Sequence, residues 1–146
     1  MTPEQIAQRV RSSFEKQAFM TLLGVELQQV SPGRVQFGVR ARSDLTQQHG
    51  FLHAGVLTAA LDSACGYAAL SAMDEGVGVL SVEFKVNLIA PAAGDRFRVV
   101  AEVLKSGRTL TICRAEAHCV DHEPPRLIAA MQGTMMSIRE RPDVSD

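Results

Sequence analysis

The 146-residue chain predicts an α+β fold, an antiparallel β-sheet wrapped around a long central helix. Three observations predict it. Residues 53–73, HAGVLTAALDSACGYAALSAM, form one proline-free run rich in alanine and leucine, which reads as a single helix. Four β-patterned segments then succeed one another: VLSVEFKVNLIAPA, RFRVVAEVLKS, TLTICRAEAHCVD and RLIAAMQGTMMSIR. Strands joined by short turns pair antiparallel, and one apolar helix can cover a face of the curved sheet they make.

Each element follows from local chemistry. Thr2 is placed as an N-cap with Pro3 at the first helical position, and Ile6, Val10, Phe14 and Ala18 recur at helical spacing. An amphipathic helix over about 3–20, closed before Gly24, is expected. VELQQVSPGRVQFGVRA reads as a β-hairpin, with turn chemistry at Ser31-Pro32-Gly33 and alternation through Val35, Phe37 and Val39. The central helix, about 53–73, tolerates Gly55 and Gly66 and is broken in the Gly76 and Gly78 region. Val82, Phe84, Val86 and Leu88 then share one strand face, and Gly94-Asp95, Ser106-Gly107 and Pro124-Pro125 mark the later turns. A polar tail, 140–146, completes what reads as one domain over residues 1–146.

Composition narrows the function classes. A net charge of -1 and a pI near 6.4 give no electrostatic reason to expect nucleic acid or an anionic membrane as partner. Cys65, Cys113 and Cys119 cannot all pair within one chain and form no CxxC, which fits a reducing compartment. The N-terminus mixes charges where a signal peptide would be apolar, and no apolar run reaches spanning length. A cytoplasmic protein is expected.

Asp62 is the residue that asks for a reason. It sits in an apolar, small-residue helix, where helical spacing groups it with Gly55, Thr58 or Ala59, Cys65 or Gly66, and Ala69, while Leu57, Leu61, Ala64 and Ala68 form the neighbouring stripe. Such a face lets a backbone or slim ligand approach closely. Either Asp62 points to water, or a partly desolvated carboxylate serves chemistry. Ahead of it, HGFLHAGV places the unpaired amides of a helix start at Ala54 and Gly55, which suit a carbonyl oxygen or the oxyanion it becomes. His53 orients a substrate there or simply caps the helix. Ala54 and Asp62 are 62−54=8 residues apart, roughly 12 Å along one helix, too far for one small reacting group to touch both. If both serve one reaction, they come from two subunits, as antiparallel helices of a symmetric dimer would arrange.

Together, HAGVLTAALD, LSVEFKVNLIAPAAGD and LKSGRTL, in that order, resemble the hotdog-fold thioesterases of the PaaI type, over about residues 19–139. The family's helix opens with His-Gly-Gly and carries an acid nine residues after the histidine, and here 62−53=9. The resemblance implies a hotdog fold, a dimer with two interfacial active sites, and acyl-CoA thioesters as substrates. It implies Asp62 as catalytic carboxylate, acting as general base or nucleophile, with the Ala54 amide polarising the thioester carbonyl and His53 opening the signature. Ser81 falls where some members use a hydroxyl to position water or the acid, and Gln47 where many have asparagine. Gly55 and the turn Lys105, Ser106, Gly107, Arg108 and Thr109 fall where substrate is bound. Lys105 and Arg108 meet CoA phosphates there or are solvated turn charges. Ala54 in place of glycine keeps the N–H but adds a methyl group.

The reaction expected is hydrolysis of acyl-CoA to free acid and CoA, with no cofactor or metal, in a homodimer that itself pairs as a dimer of dimers. Two alternatives stand beside it: a hotdog acyl-thioester dehydratase or hydratase, and a non-catalytic acyl-CoA binding module. The first needs a His with Glu or Asp that the sequence does not display, and Asp62 counts against the second. The pairs His49/His53 and His118/His122 have the four-residue spacing of helical metal ligands, but HGFLH lacks the glutamate of HExxH and the second pair lies in or beside a strand. Cys65 reads as a small core residue, and Met131, Met135 and Met136 as core and edge filling.

Overall fold

A computed structural model describes residues 1–144; the last two residues of the expected polar tail lie outside the described residues. In chain order the elements are α1 (Pro3–Phe14), α2 (Ala18–Leu23), β1 (Glu26–Ser31), β2 (Arg34–Arg40), α3 (Ala54–Leu70), β3 (Gly78–Leu88), β4 (Arg96–Ser106), β5 (Leu110–Cys119) and β6 (Arg126–Ile138), with short 3-10 turns at Ser43–Leu45 and Pro142–Val144. All the strands join one antiparallel sheet in the order β1-β2-β4-β5-β6-β3. α3 lies across β2, β4, β5, β6 and β3, which makes the α+β hotdog arrangement.

Two expected helices are redrawn. The N-terminal helix over about 3–20 is two helices. Thr2 and Gln5 close a reciprocal capping box at the start of α1, but the buried stripe runs only through Val10 to Phe14, and Ala18 is exposed. Phe14 packs on Phe37 and Tyr67, with ring centroids 5.2 and 5.8 Å away, and the Ser63 hydroxyl donates to Gln17 Oε1 at 2.9 Å. These ties to the core hold Gln17 extended, where propensity alone would continue the helix. The close at Gly24 stands: its φ of 70° is the left-handed cap that glycine supplies. The central helix ends at Leu70, short of residue 73, with Ser71 as its cap. Arg9 donates to the carbonyls of Met73 at 3.1 Å and Val77 at 2.6 Å, so α1 satisfies groups just beyond that helix end.

β3 does not pair with the strand that follows it. It crosses to the far edge of the sheet and pairs with β6, leaving its other edge free among the described residues. Seven residues, 89–95, carry the chain back to β4. Gly94 makes that return feasible: its φ is 132°, and a Cβ there would sit 2.5 Å from Cys119 Sγ and 2.8 Å from Asp121 Oδ2.

Asp121 locks the same corner. Its carboxylate accepts from the amides of Asp95 and Arg96, the latter at 3.2 Å, and from Arg96 Nε at 3.1 Å. The Asp95 amide first, then the Arg96 groups, hold its carboxyl down to about 2. A depressed acid stabilises the fold above its ordinary value near 4 and loses that contribution as pH falls towards about 2. Asp121→Asn is therefore expected to melt below the parent protein at neutral pH, with the gap closing between pH 4 and 2. Thermal melts by circular dichroism across that range test it, and a pH-independent gap would contradict it.

The core lies between α3 and the sheet. Leu57, Leu61 and Leu70 from the helix and Phe37, Phe97, Val99 and Met135 from the strands are buried to within 2%. Each contributes about 1.5–3 kcal/mol of apolar burial. Cys65, Cys113 and Cys119 are buried free thiols. Burial pushes the Cys113 thiol up to about 12 and Cys65 higher still, so neither is a thiolate nucleophile.

Candidate active site

The open side of α3 is made by Gly55, Thr58, Ala59, Asp62, Ser63 and Gly66. Cys65 and Ala69, which helical spacing also allows beside Asp62, are fully buried against the sheet. Asp62 is half-buried on this open side and faces β3. The Ser81 hydroxyl donates to Asp62 Oδ1 at 2.7 Å, and its oxygen lies 3.4 Å from Met135 Sδ. A β-bulge between Ser81 and Glu83 interrupts the β3–β6 ladder immediately after the serine. Bulges re-aim a side chain in this way beside functional sites. One carboxylate oxygen is thus held by a hydroxyl, and the other has no hydrogen bond among the described residues.

Asp62 opens onto a cavity of about 450 Å3. Asp62, Ser63, Gly66 and Tyr67 form its α3 wall and Gly78 to Ser81 its β3 wall; Ser13, Lys16 and Gln17 close one side, Asp143 and Val144 the other. Sequence reasoning missed these last five residues. They lie at the chain ends, and only the tertiary return of both ends to β3 and α3 brings them together. Gly78 permits the C-terminal approach, since a Cβ there would collide with the Val144 carbonyl oxygen.

The start of α3 is a second, separate constellation. His53 is its N-cap, and His53 Nδ1 accepts the Gly55 amide at 2.8 Å. In the neutral ring the proton is then on the exposed Nε2. The Gly55 amide is thus taken and the Val56 amide donates to the His53 carbonyl at 3.0 Å, while the Ala54 amide has no acceptor among the described residues. Gln47 braces the preceding loop: its Oε1 accepts the His49 amide, its own amide donates to the Phe51 carbonyl at 2.9 Å, and its carbonyl receives the Gly50 amide at 3.0 Å.

Lys105 to Thr109 form the exposed β4–β5 hairpin tip. Register runs from Ser81 to Met135, Thr111 and Ser106 across adjacent strands. The tip is thus three strands from Ser81, roughly 14 Å at ordinary strand spacing. Within one chain it does not join Asp62; only a long substrate reaches both. Among the described residues no three His, Cys, Asp or Glu side chains are placed to hold a metal ion.

Comparison with known proteins decides the family. The thioesterase superfamily model matches residues 49–125, just over half of the chain. The chain belongs to the thioesterase superfamily. A thioesterase family protein from Silicibacter pomeroyi is 51% identical, with a TM-score of 0.89 over 92% of this chain and 98% of that one. Human acyl-coenzyme A thioesterase 13 is 28% identical over 109 residues, 73% of this chain and 77% of the relative. The Escherichia coli PaaI protein, at 19% identity, shares the fold with a TM-score of 0.85 over 94% of this chain and 96% of its own. No helix among the described residues of this thioesterase is long and apolar enough to cross a membrane.

Proposed function

We propose that this thioesterase hydrolyses acyl-CoA to free acid and CoA, in a homodimer whose sites each combine Asp62 of one protomer with the Ala54 amide of the other. The observation that carries this reading is the Ser81–Asp62 pair at the head of an open cavity. A thioester carbonyl is already electrophilic, so its hydrolysis needs a positioned base or nucleophile and stabilisation of the oxyanion. As base, Asp62 takes a proton from water while the oxygen bonds to the carbonyl carbon. The carbonyl oxygen becomes an oxyanion facing the Ala54 amide, and collapse breaks the carbon–sulfur bond. The departing thiolate takes up the proton. As nucleophile, Asp62 instead forms an anhydride with the acyl carbon, expels the thiolate and is released by water. Both routes demand the same two poles, one anionic and one donating.

Dimerisation is supported by β3. Leu80, Val82, Phe84 and Leu88 are 41–56% exposed on an eleven-residue strand at the edge of the sheet. An apolar edge of this length invites another chain, and a second copy pairing β3 with β3 covers it. The dehydratase or hydratase alternative needs an imidazole at the acid, and the described lining of the Asp62 cavity contains no histidine. Lys105 and Arg108 are assigned to the distant phosphates of CoA, and a cytoplasmic, cofactor-free enzyme fits the reading.

A thiol-release assay over short, long and aromatic acyl-CoAs tests it, with free CoA expected from at least one. Hydration of an enoyl-CoA without thiol release would replace it with the hydratase reading. Binding without turnover across the panel would replace it with a binding module.

A further inference from the structure

The geometry points to Lys16 as a specificity-determining residue that makes this cavity select acyl groups carrying an anionic distal end, such as the ω-carboxylate of a dicarboxylic acyl-CoA. This rests on the thioesterase reading above. The wall supplied by the N-terminal segment is polar, with Ser13, Lys16 and Gln17 beside Ser63 of α3. It is also fixed in place, because the Ser63 hydroxyl donates to Gln17 Oε1 and the neighbouring Phe14 ring is packed on Tyr67. A purely aliphatic tail laid on this wall would desolvate hydroxyl, amide and ammonium groups and return no hydrogen bond to them.

Charge sharpens the choice. Lys16 is the one cation lining the cavity among the described residues, and none of the described carboxylates lies within ion-pair distance of its ammonium. Of the two acids that share the cavity, Asp62 accepts the Ser81 hydroxyl on Oδ1 alone, and Asp143 accepts from Arg141 Nε at 2.8 Å. An acyl carboxylate would complete the pairing, whereas Asp62 at the reacting end would repel a charge placed close to the thioester. Selection therefore favours an acyl chain long enough to separate its two ends. Lys16 lies outside residues 49–125, the segment that the thioesterase superfamily model matches.

The test compares glutaryl-CoA with pentanoyl-CoA, which match in chain length and differ in the terminal charge. The parent protein should show kcat/KM about tenfold or more in favour of glutaryl-CoA. Lys16→Met should bring that ratio close to one, and Lys16→Glu should invert it. The same ratio is read as dissociation constants on Asp62→Asn protein, where no hydrolysis is needed. Absence of CoA release from every substrate would therefore defeat the thioesterase reading while the binding ratio still decides this one. Equal affinity for the two compounds would overturn the inference. A ratio that Lys16→Met leaves unchanged while both substrates weaken alike would also overturn it, placing Lys16 on a CoA phosphate.

Discussion

Asp62→Asn is expected to lower kcat for acyl-CoA hydrolysis by about 10^3-fold while leaving KM within a few-fold of the parent. Asparagine keeps the shape and still accepts the Ser81 hydroxyl through its carbonyl oxygen, so only the basic, nucleophilic oxygen is lost. The acid is half-buried on the open side of α3 and supports no ion pair among the described residues, so thermal stability should hold within a few degrees. Ser81→Ala removes the group that orients the acid and leaves the acid itself. Its expected cost is smaller, about tenfold in kcat, because the hydroxyl acts through Asp62. Steady-state thiol release together with circular dichroism separates these effects from misfolding. An Asp62→Asn enzyme with undiminished turnover would remove the carboxylate from the mechanism altogether.

How far the sequence foretold this site depends on which residues are considered. Hairpin, helix and strand patterns lay in local periodicity, because each is set by side chains within a few positions of one another. The position of β3 was not local: its edge-strand role depends on which of several apolar strands it meets, and alternation alone names no partner. The break after Phe14 was equally hidden, since it comes from an aromatic cluster with Phe37 and Tyr67 and from Ser63 bonding Gln17. Asp62 announced itself as an acid in a stripe of small residues. Its link to Ser81, 81−62=19 residues on, came only from family resemblance. For Lys16, Gln17 and Asp143 no sequence signal existed, because a charged or polar residue near a chain end has no marker until the fold returns it to the cavity. Ser81 could lie beside Asp62 through strand packing, but no packing within the protomer shortens the rise of a single helix between Asp62 and Ala54.

That fixed separation gives the second large effect, which is restored activity from two inactive proteins. Ala54→Pro removes the amide proposed as the oxyanion donor, and proline is tolerated at the first position of a helix. The preceding residue already suits it, because His53 is extended at φ −61° and ψ 135°. Ala54→Pro and Asp62→Asn should each be nearly inactive alone. After unfolding and refolding together in equal amounts, half of the dimers should be mixed, and each mixed dimer holds one site with both an intact Asp62 and an intact Ala54 amide. Recovery should therefore approach about a quarter of parent activity, from the random pairing of two protomers in a twofold assembly. If both groups instead served one site within a protomer, every site in every mixture would lack one of them and no activity would return. The outcome thus reads out whether the carbonyl is polarised by the partner subunit, independently of which acyl group is best.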